Sequence, residues 1–166
     1  MPATVEIGYD INALAGLESN AAGLEVLDGT TVDALVAAFD DTTEEYLNGK
    51  MQVPGDIQTS GTVTFRAYVM AKTAAASKNV ALTFGHLAVN DSEDFDGSYT
   101  DEDSGDKAID ATQDDVTEIT WTETVSNLGW SANDLVFFRL SRPQASSNNL
   151  SGDMYLFHFC VEIPVT

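Results

Sequence analysis

The 166-residue chain carries 27 acidic and 7 basic residues, a formal net charge of −20. That charge argues against nucleic-acid binding, which needs a basic footprint, and against docking on anionic membrane. An apolar fraction of 43% excludes wholesale disorder, and no run approaches the ~18 apolar residues of a membrane-spanning helix. The lone Cys160 allows neither an intrachain disulfide nor a cysteine-based metal cluster. The opening residues, Met1-Pro-Ala-Thr-Val-Glu-Ile7, lack the basic and apolar regions of a secretory signal.

Val5, Ile7 and Tyr9 alternate and predict a short strand. Small-residue sequence then runs to residue 22, so residues 1–22 read as an arm and 23–166 as the body. Leu24–Leu27 is a strand that stops at the Asp28-Gly29 turn. Leu35, Val36 and Phe39 fit a helical face, but the short run and its strand-like neighbours favour a strand. Tyr46–Val53 alternates, with Leu47, Met51 and Val53 to one side, and Pro54-Gly55 ends it. Thr62–Lys72 is the clearest strand. Val63, Phe65, Ala67, Val69 and Ala71 share one face, a period of two that no helix of that length has. A strand through Val80, Leu82 and Phe84 ends near Val89.

Residues 90–115 hold eleven acids against Lys107 alone and read as a polar surface excursion, not as a strand pair. Val116–Val125 resumes strand with Ile119 and Trp121 inward, and Leu128-Gly129-Trp130 is a corner. Two dense runs, Asp134–Arg142 and Met154–Val165, complete the chain. About eight antiparallel strands at short spacing predict an all-β sandwich or barrel. The expected core is Val63, Phe65, Val69, Phe84, Ile119, Trp121, Val136, Phe138, Leu140, Tyr155, Phe157, Phe159 and Val161. Leu135, Phe137, Leu156 and Cys160 then point outward with Tyr68 and Met70. They form either an oligomer interface, with Tyr68, Met70, Phe137 and Leu156 its candidates, or a face covered by the protein's own loops.

Reaction chemistry is sparse. No nucleophile elbow, phosphate-binding loop, dinucleotide fingerprint or zinc-protease motif occurs, so no catalytic residue is assigned. Ser92, Asp94, Asp96, Gly97 and Asp103 fall in the register of half a calcium loop, with Asp94, Asp96 and Asp103 as the Ca²⁺ candidates. The first ligand is Ser rather than Asp, and the flanking helices are missing. His86 and His158 are isolated in strands and read as packed or hydrogen-bonded. Cys160 reads as a small buried hydrophobe. Trp121, Trp130, Tyr99 and Tyr155 are the aromatics that a sugar platform would use. Trp121 and Tyr155 fall on the core face, leaving Trp130 and Tyr99 open.

Five stretches carry a resemblance: Phe39-Asp-Asp-Thr-Thr-Glu-Glu-Tyr46, Val53-Pro-Gly-Asp56, Gly61-Thr-Val-Thr-Phe-Arg-Ala-Tyr68, Asp134-Leu-Val-Phe-Phe-Arg-Leu-Ser-Arg142, and Leu150-Ser-Gly-Asp-Met-Tyr-Leu156 running into Val161-Glu-Ile163. Together they resemble the jelly-roll virion structural proteins of tailed bacteriophages. The resemblance implies a single jelly-roll β-sandwich and a non-enzymatic virion role. The first expectation is a capsid decoration (cement) protein on the outer capsid surface. It would bind the major capsid protein and itself, as a homo-oligomer guessed to be a trimer, with no nucleic-acid or membrane partner and no cofactor beyond the Ca²⁺ candidate. The alternative is a carbohydrate- or receptor-binding module of a head or tail fibre.

Overall fold

The computed structural model describes residues 3–73, 78–110, 112 and 115–166. In chain order the strands are β1 (Ala3–Asp10), β2 (Gly23–Asp28), β3 (Asp33–Phe39), β4 (Tyr46–Gln52), β5 (Thr62–Ala71), β6 (Asn79–Val80), β7 (Thr83–Val89), β8 (Thr100–Asp103), β9 (Lys107–Ala108), β10 (Thr117–Thr124), β11 (Leu135–Ser141) and β12 (Met154–Val165). Two antiparallel sheets face each other. One has six strands in the order β10-β5-β12-β3-β2, with β1 also on β12. The other has four, β4-β11-β7-β8, and β6 and β9 form a small third pair.

The alternation of β5 places Val63, Phe65, Ala67, Val69 and Ala71 in the core as expected. Phe65 lies 4.7 Å from Phe84 and 5.2 Å from Trp121 between ring centroids. Phe138 packs against Tyr9 at 5.0 Å and Phe84 at 5.2 Å. These rings from facing sheets interdigitate, and that burial is the main stabilising term of the fold.

β12 departs from its sequence reading. It pairs β5 along one edge, β3 through Met154–Leu156, and β1 from His158 to Val165 on the other. Its register against β5 shifts between Leu156 and His158. One extra residue in a strand reverses which side chains face inward. Met154 and Leu156 therefore enter the main core before the shift, and Phe159, Val161 and Ile163 enter it after. Tyr155 and Phe157, expected inside, lie on the opposite face in a second small cluster with Val36, Ala38 and Met70.

The first 22 residues are less separate than the arm reading expects. β1 pairs eight residues of β12, and Tyr9, Ile11 and Leu14 are core members. The chain then crosses to the other sheet. The Ala15 and Asn48 backbones exchange hydrogen bonds of 2.9 and 2.7 Å, and the Ala22 N–H reaches the Tyr46 carbonyl at 3.2 Å. The acidic excursion is also corrected, because it contains β8 on the edge of the four-stranded sheet and β9 against β6. β8 is Thr-Asp-Glu-Asp, an edge strand whose residues need no apolar face and so leave no period to read.

Candidate ligand-binding cleft

The outer face of the four-stranded sheet is built by alternation. In β11, Val136, Phe138 and Leu140 are buried between the sheets, which turns Leu135, Phe137 and Arg139 outward. The antiparallel register sets Lys50 and Leu87 beside Phe137, and Asn48 and Gly85 beside Arg139. β8 places Asp101 next to Gly85. A side chain at position 85 would run into Asp101 Oδ1 at 2.6 Å and Arg139 Nε at 2.9 Å. The missing Cβ of Gly85 is therefore what lets the arginine cross β7.

The Arg139 guanidinium is held between two phenol rings, 4.8 Å from the Tyr46 centroid and 4.9 Å from that of Tyr99. Its Nη2 stands 3.5 Å from Asp101 Oδ1. A planar cation stacked on rings and tethered to a carboxylate fixes Tyr46 and Tyr99 in place. Phe95 leans over Phe137 at 6.4 Å.

A cleft of about 490 Å³ opens on this face, lined by Asn48, Gly49, Lys50, Tyr99 and Phe137 and by Ala13, Ala15 and Leu17 of the first segment. The buried rings of Phe138 and Tyr9 also line it. A Cβ on Gly49 would collide with the Phe138 ring at Cζ, so glycine here lets the ring lie flat against β4. The buried Tyr9 hydroxyl donates to the Lys50 carbonyl at 3.0 Å, and burial pushes its pKa up to about 12. It is a structural donor, not a titrating group at neutral pH. The cleft combines flat apolar walls with an amide and an ammonium, the composition of a small-ligand site.

The candidates read from the sequence scatter. Tyr99 joins the cleft, but Trp130 is only 3% exposed. It follows the short helix α1 (Val125–Leu128), and Gly129 in the left-handed region (φ 67°) turns it inward. Its indole N–H donates to His86 Nδ1 at 3.3 Å. Trp121 and Tyr155 are buried. The interface candidates divide. Phe137 and the half-exposed Leu135 belong to this face, while Tyr68 lies on the other sheet. Met70, Leu156 and Cys160 are buried, and burial pushes the Cys160 thiol up to about 11. The three Ca²⁺ candidates are not brought together. Asp94 Oδ1 accepts from the Asp96 N–H in an exposed turn, while Asp103 on β8 accepts from the Thr83 hydroxyl. Among the described residues no three His, Cys, Asp or Glu side chains converge as a cation site. Sequence reading passes over Tyr46, Asn48, Lys50 and Arg139. The available signal is an arginine at an outward position inside the dense apolar run of β11.

No family model and no curated protein matches the chain. Solved structures resemble it in fold. An isomalto-dextranase of Arthrobacter globiformis T6, solved with panose, gives a TM-score of 0.58 at 16% identity over 95% of this chain. This chain spans only 23% of that enzyme. A family 35 carbohydrate-binding module from Clostridium thermocellum gives 0.55 at 12% identity, covering 95% of this chain and 97% of the module. The CBM22-2 xylan-binding domain of Paenibacillus barcinonensis Xyn10C gives 0.54 at 13% identity, covering 96% and 99%. At these identities the likeness is one of fold, the jelly-roll β-sandwich.

Proposed function

We propose that the protein is a non-catalytic glycan-binding module that holds a saccharide on the outer face of its four-stranded sheet, as the carbohydrate- or receptor-binding part of a phage head or tail fibre. The observation that carries this is the cleft itself. Phe137 on β11 and Tyr99 beside β8 are aromatic lining groups, and Lys50 and the largely buried Asn48, whose Oδ1 accepts from the Leu17 N–H at 3.4 Å, are polar lining groups. Pyranose rings present apolar C–H faces and a rim of hydroxyls. Flat aromatic walls take the first, and amide and ammonium groups take the second. Rigid mounting on paired strands lowers the ordering cost of binding a weakly held ligand. The fold likeness to carbohydrate-binding modules supports the reading, and the resemblance of Phe39–Ile163 to virion proteins supplies its setting.

The test is affinity electrophoresis through gels containing soluble glucans, xylans, mannans or bacterial surface polysaccharides, with native protein and Phe137→Ala. The reading expects retardation by at least one polysaccharide class and its loss in the variant. No retardation by any class, together with saturable binding to purified capsids, would return the protein to the capsid-decoration role.

A further inference from the structure

Sheet edges attract other strands, and proteins guard them with charge, short length or cover. Most edges of this molecule are guarded. β8 is Thr-Asp-Glu-Asp, β10 carries Glu118 and Glu123, and β1 carries Glu6 and Asp10. The free side of β4 is covered by the backbone around Ala15 and Asn20–Ala22. β2 differs: it carries Glu25 and Asp28, but Glu25 is neutralised by Lys72 and bonded to the Tyr155 hydroxyl. The strand ends the six-stranded sheet, and among the described residues it pairs β3 alone. Its core-side residues Leu24 and Val26 are 55% and 70% exposed, beside Leu35 at 41%. β3 pairs β12 only through Ala37–Phe39, and the apolar face of the hairpin beyond that point stays largely exposed.

From this unguarded edge we infer that two copies of the chain associate through β2, antiparallel about a two-fold axis, to make one continuous sheet. Side-chain parity restricts the register. Strands that keep the same face inward pair even sums of residue numbers, and of these registers only the axes through Val26 and Glu25 pair five residues of β2 with their counterparts. The Glu25 register opposes two carboxylates. The Val26 register sets Val26 on Val26, Glu25 beside Leu27 and Leu24 beside Asp28, with no like charges facing. It also joins Leu35 and Val26 of both copies into one apolar stripe. Glu25 is already compensated, with Lys72 Nζ at 3.1 Å and the Tyr155 hydroxyl at 2.9 Å. Charges of the −20 body that stand farther than about 8–10 Å from the seam are screened at ordinary salt. A two-fold axis normal to the sheet keeps both four-stranded sheets on one side, so both clefts open in the same direction. The association stands without the glycan reading, and, if both hold, supplies avidity.

The test is the mass of the native protein by sedimentation equilibrium across a salt series, with a cysteine pair for register. The expected mass is twice the chain's 17.8 kDa at moderate salt, falling towards one chain as salt is removed and the acidic bodies repel. Val26→Lys should be monomeric throughout while keeping the native far-UV spectrum and a cooperative melt, since Val26 is exposed in the single chain. Val26→Cys should oxidise to a covalent dimer, because directly opposed strand residues lie within disulfide reach, while Leu24→Cys should not. Cys160 is buried and does not compete. A single-chain mass at every salt concentration would overturn the inference, as would a dimer indifferent to Val26→Lys or cross-linked through Leu24→Cys alone.

Discussion

The two outer faces of the sandwich have similar sequence patterns and opposite fates. On the six-stranded sheet the outward apolar residues close over one another. Val36, Ala38, Met70 and Tyr155 are buried there, with Leu27, Ala34 and Phe157 packed against them. The charges around them are internally paired, Lys72 with Glu25 and Asp153, and Arg66 with Glu162 at 2.6 Å. On the four-stranded sheet the aromatics are held apart by strand spacing and by the stacked Arg139, and a cleft remains. Outward aromatics alone therefore do not mark a binding face. The mark is aromatics that neighbouring side chains hold in position with a cleft left open beside them.

The largest effect should come from the shared interior. Truncating Phe138 to Ala removes a ring that touches both sheets and should cost about 3–5 kcal/mol in urea unfolding. Phe157→Ala, on the outer cluster, should cost only about 1–2 kcal/mol. Equal losses would mean that the outer cluster is a second true core.

Next is Arg142, which sits just past β11. Its buried guanidinium donates to the carbonyls of Phe39 and Gly152 at 2.9 Å and of Leu150 at 2.8 Å. Arg142→Met leaves those acceptors unpaired and should cost on the order of 3 kcal/mol, while glycan binding per folded molecule stays intact. A well-folded variant that has lost binding would show that the two faces are not independent.

The first 22 residues and the acidic excursion show where sequence reading succeeds and stops. β5 is legible because all five inward positions are apolar and the strand lies between two others. Cys160 is legible as a buried hydrophobe. The register shift in β12 is not legible, since no glycine or proline marks it, and one residue moves Leu156 into the core and Tyr155 out of it. β8 is hidden because an acidic edge strand carries no apolar period. Trp130 is misplaced because the left-handed Gly129 decides its direction. The cleft is legible only through Tyr99 and Phe137, the latter first seen as a candidate contact between copies. Tyr46, Lys50 and Arg139 come together through cross-strand register, which sequence spacing does not contain.

A smaller effect concerns the mounting of the four-stranded sheet's edge. Asp106, just after β8, accepts from the Ser146 and Ser147 backbone N–H groups and hydroxyls at 2.7–2.9 Å. The Ser147 and Ser146 hydroxyls lead in pulling its pKa down to about 2. Because the folded value lies below the unfolded value near 3.9, its stabilising contribution is complete above about pH 4 and is lost as pH falls towards 2. Asp106→Asn should therefore melt lower than the native protein at pH 7, with the gap closing between about pH 4 and pH 2. A gap that is constant with pH would remove the ionised carboxylate from the account.

The most direct test of the binding face is an amide NMR titration of the native protein with oligosaccharides from whichever polysaccharide retards it in a gel. Resonances of Asn48, Gly49, Lys50, Tyr99 and Phe137 should move together and saturate, while those of Lys72, Tyr155 and Phe157 on the other sheet stay still. Phe137→Ala should weaken the interaction about tenfold, or about 1.4 kcal/mol. Shifts confined to the six-stranded sheet, or native affinity in Phe137→Ala, would contradict a glycan site on the four-stranded face.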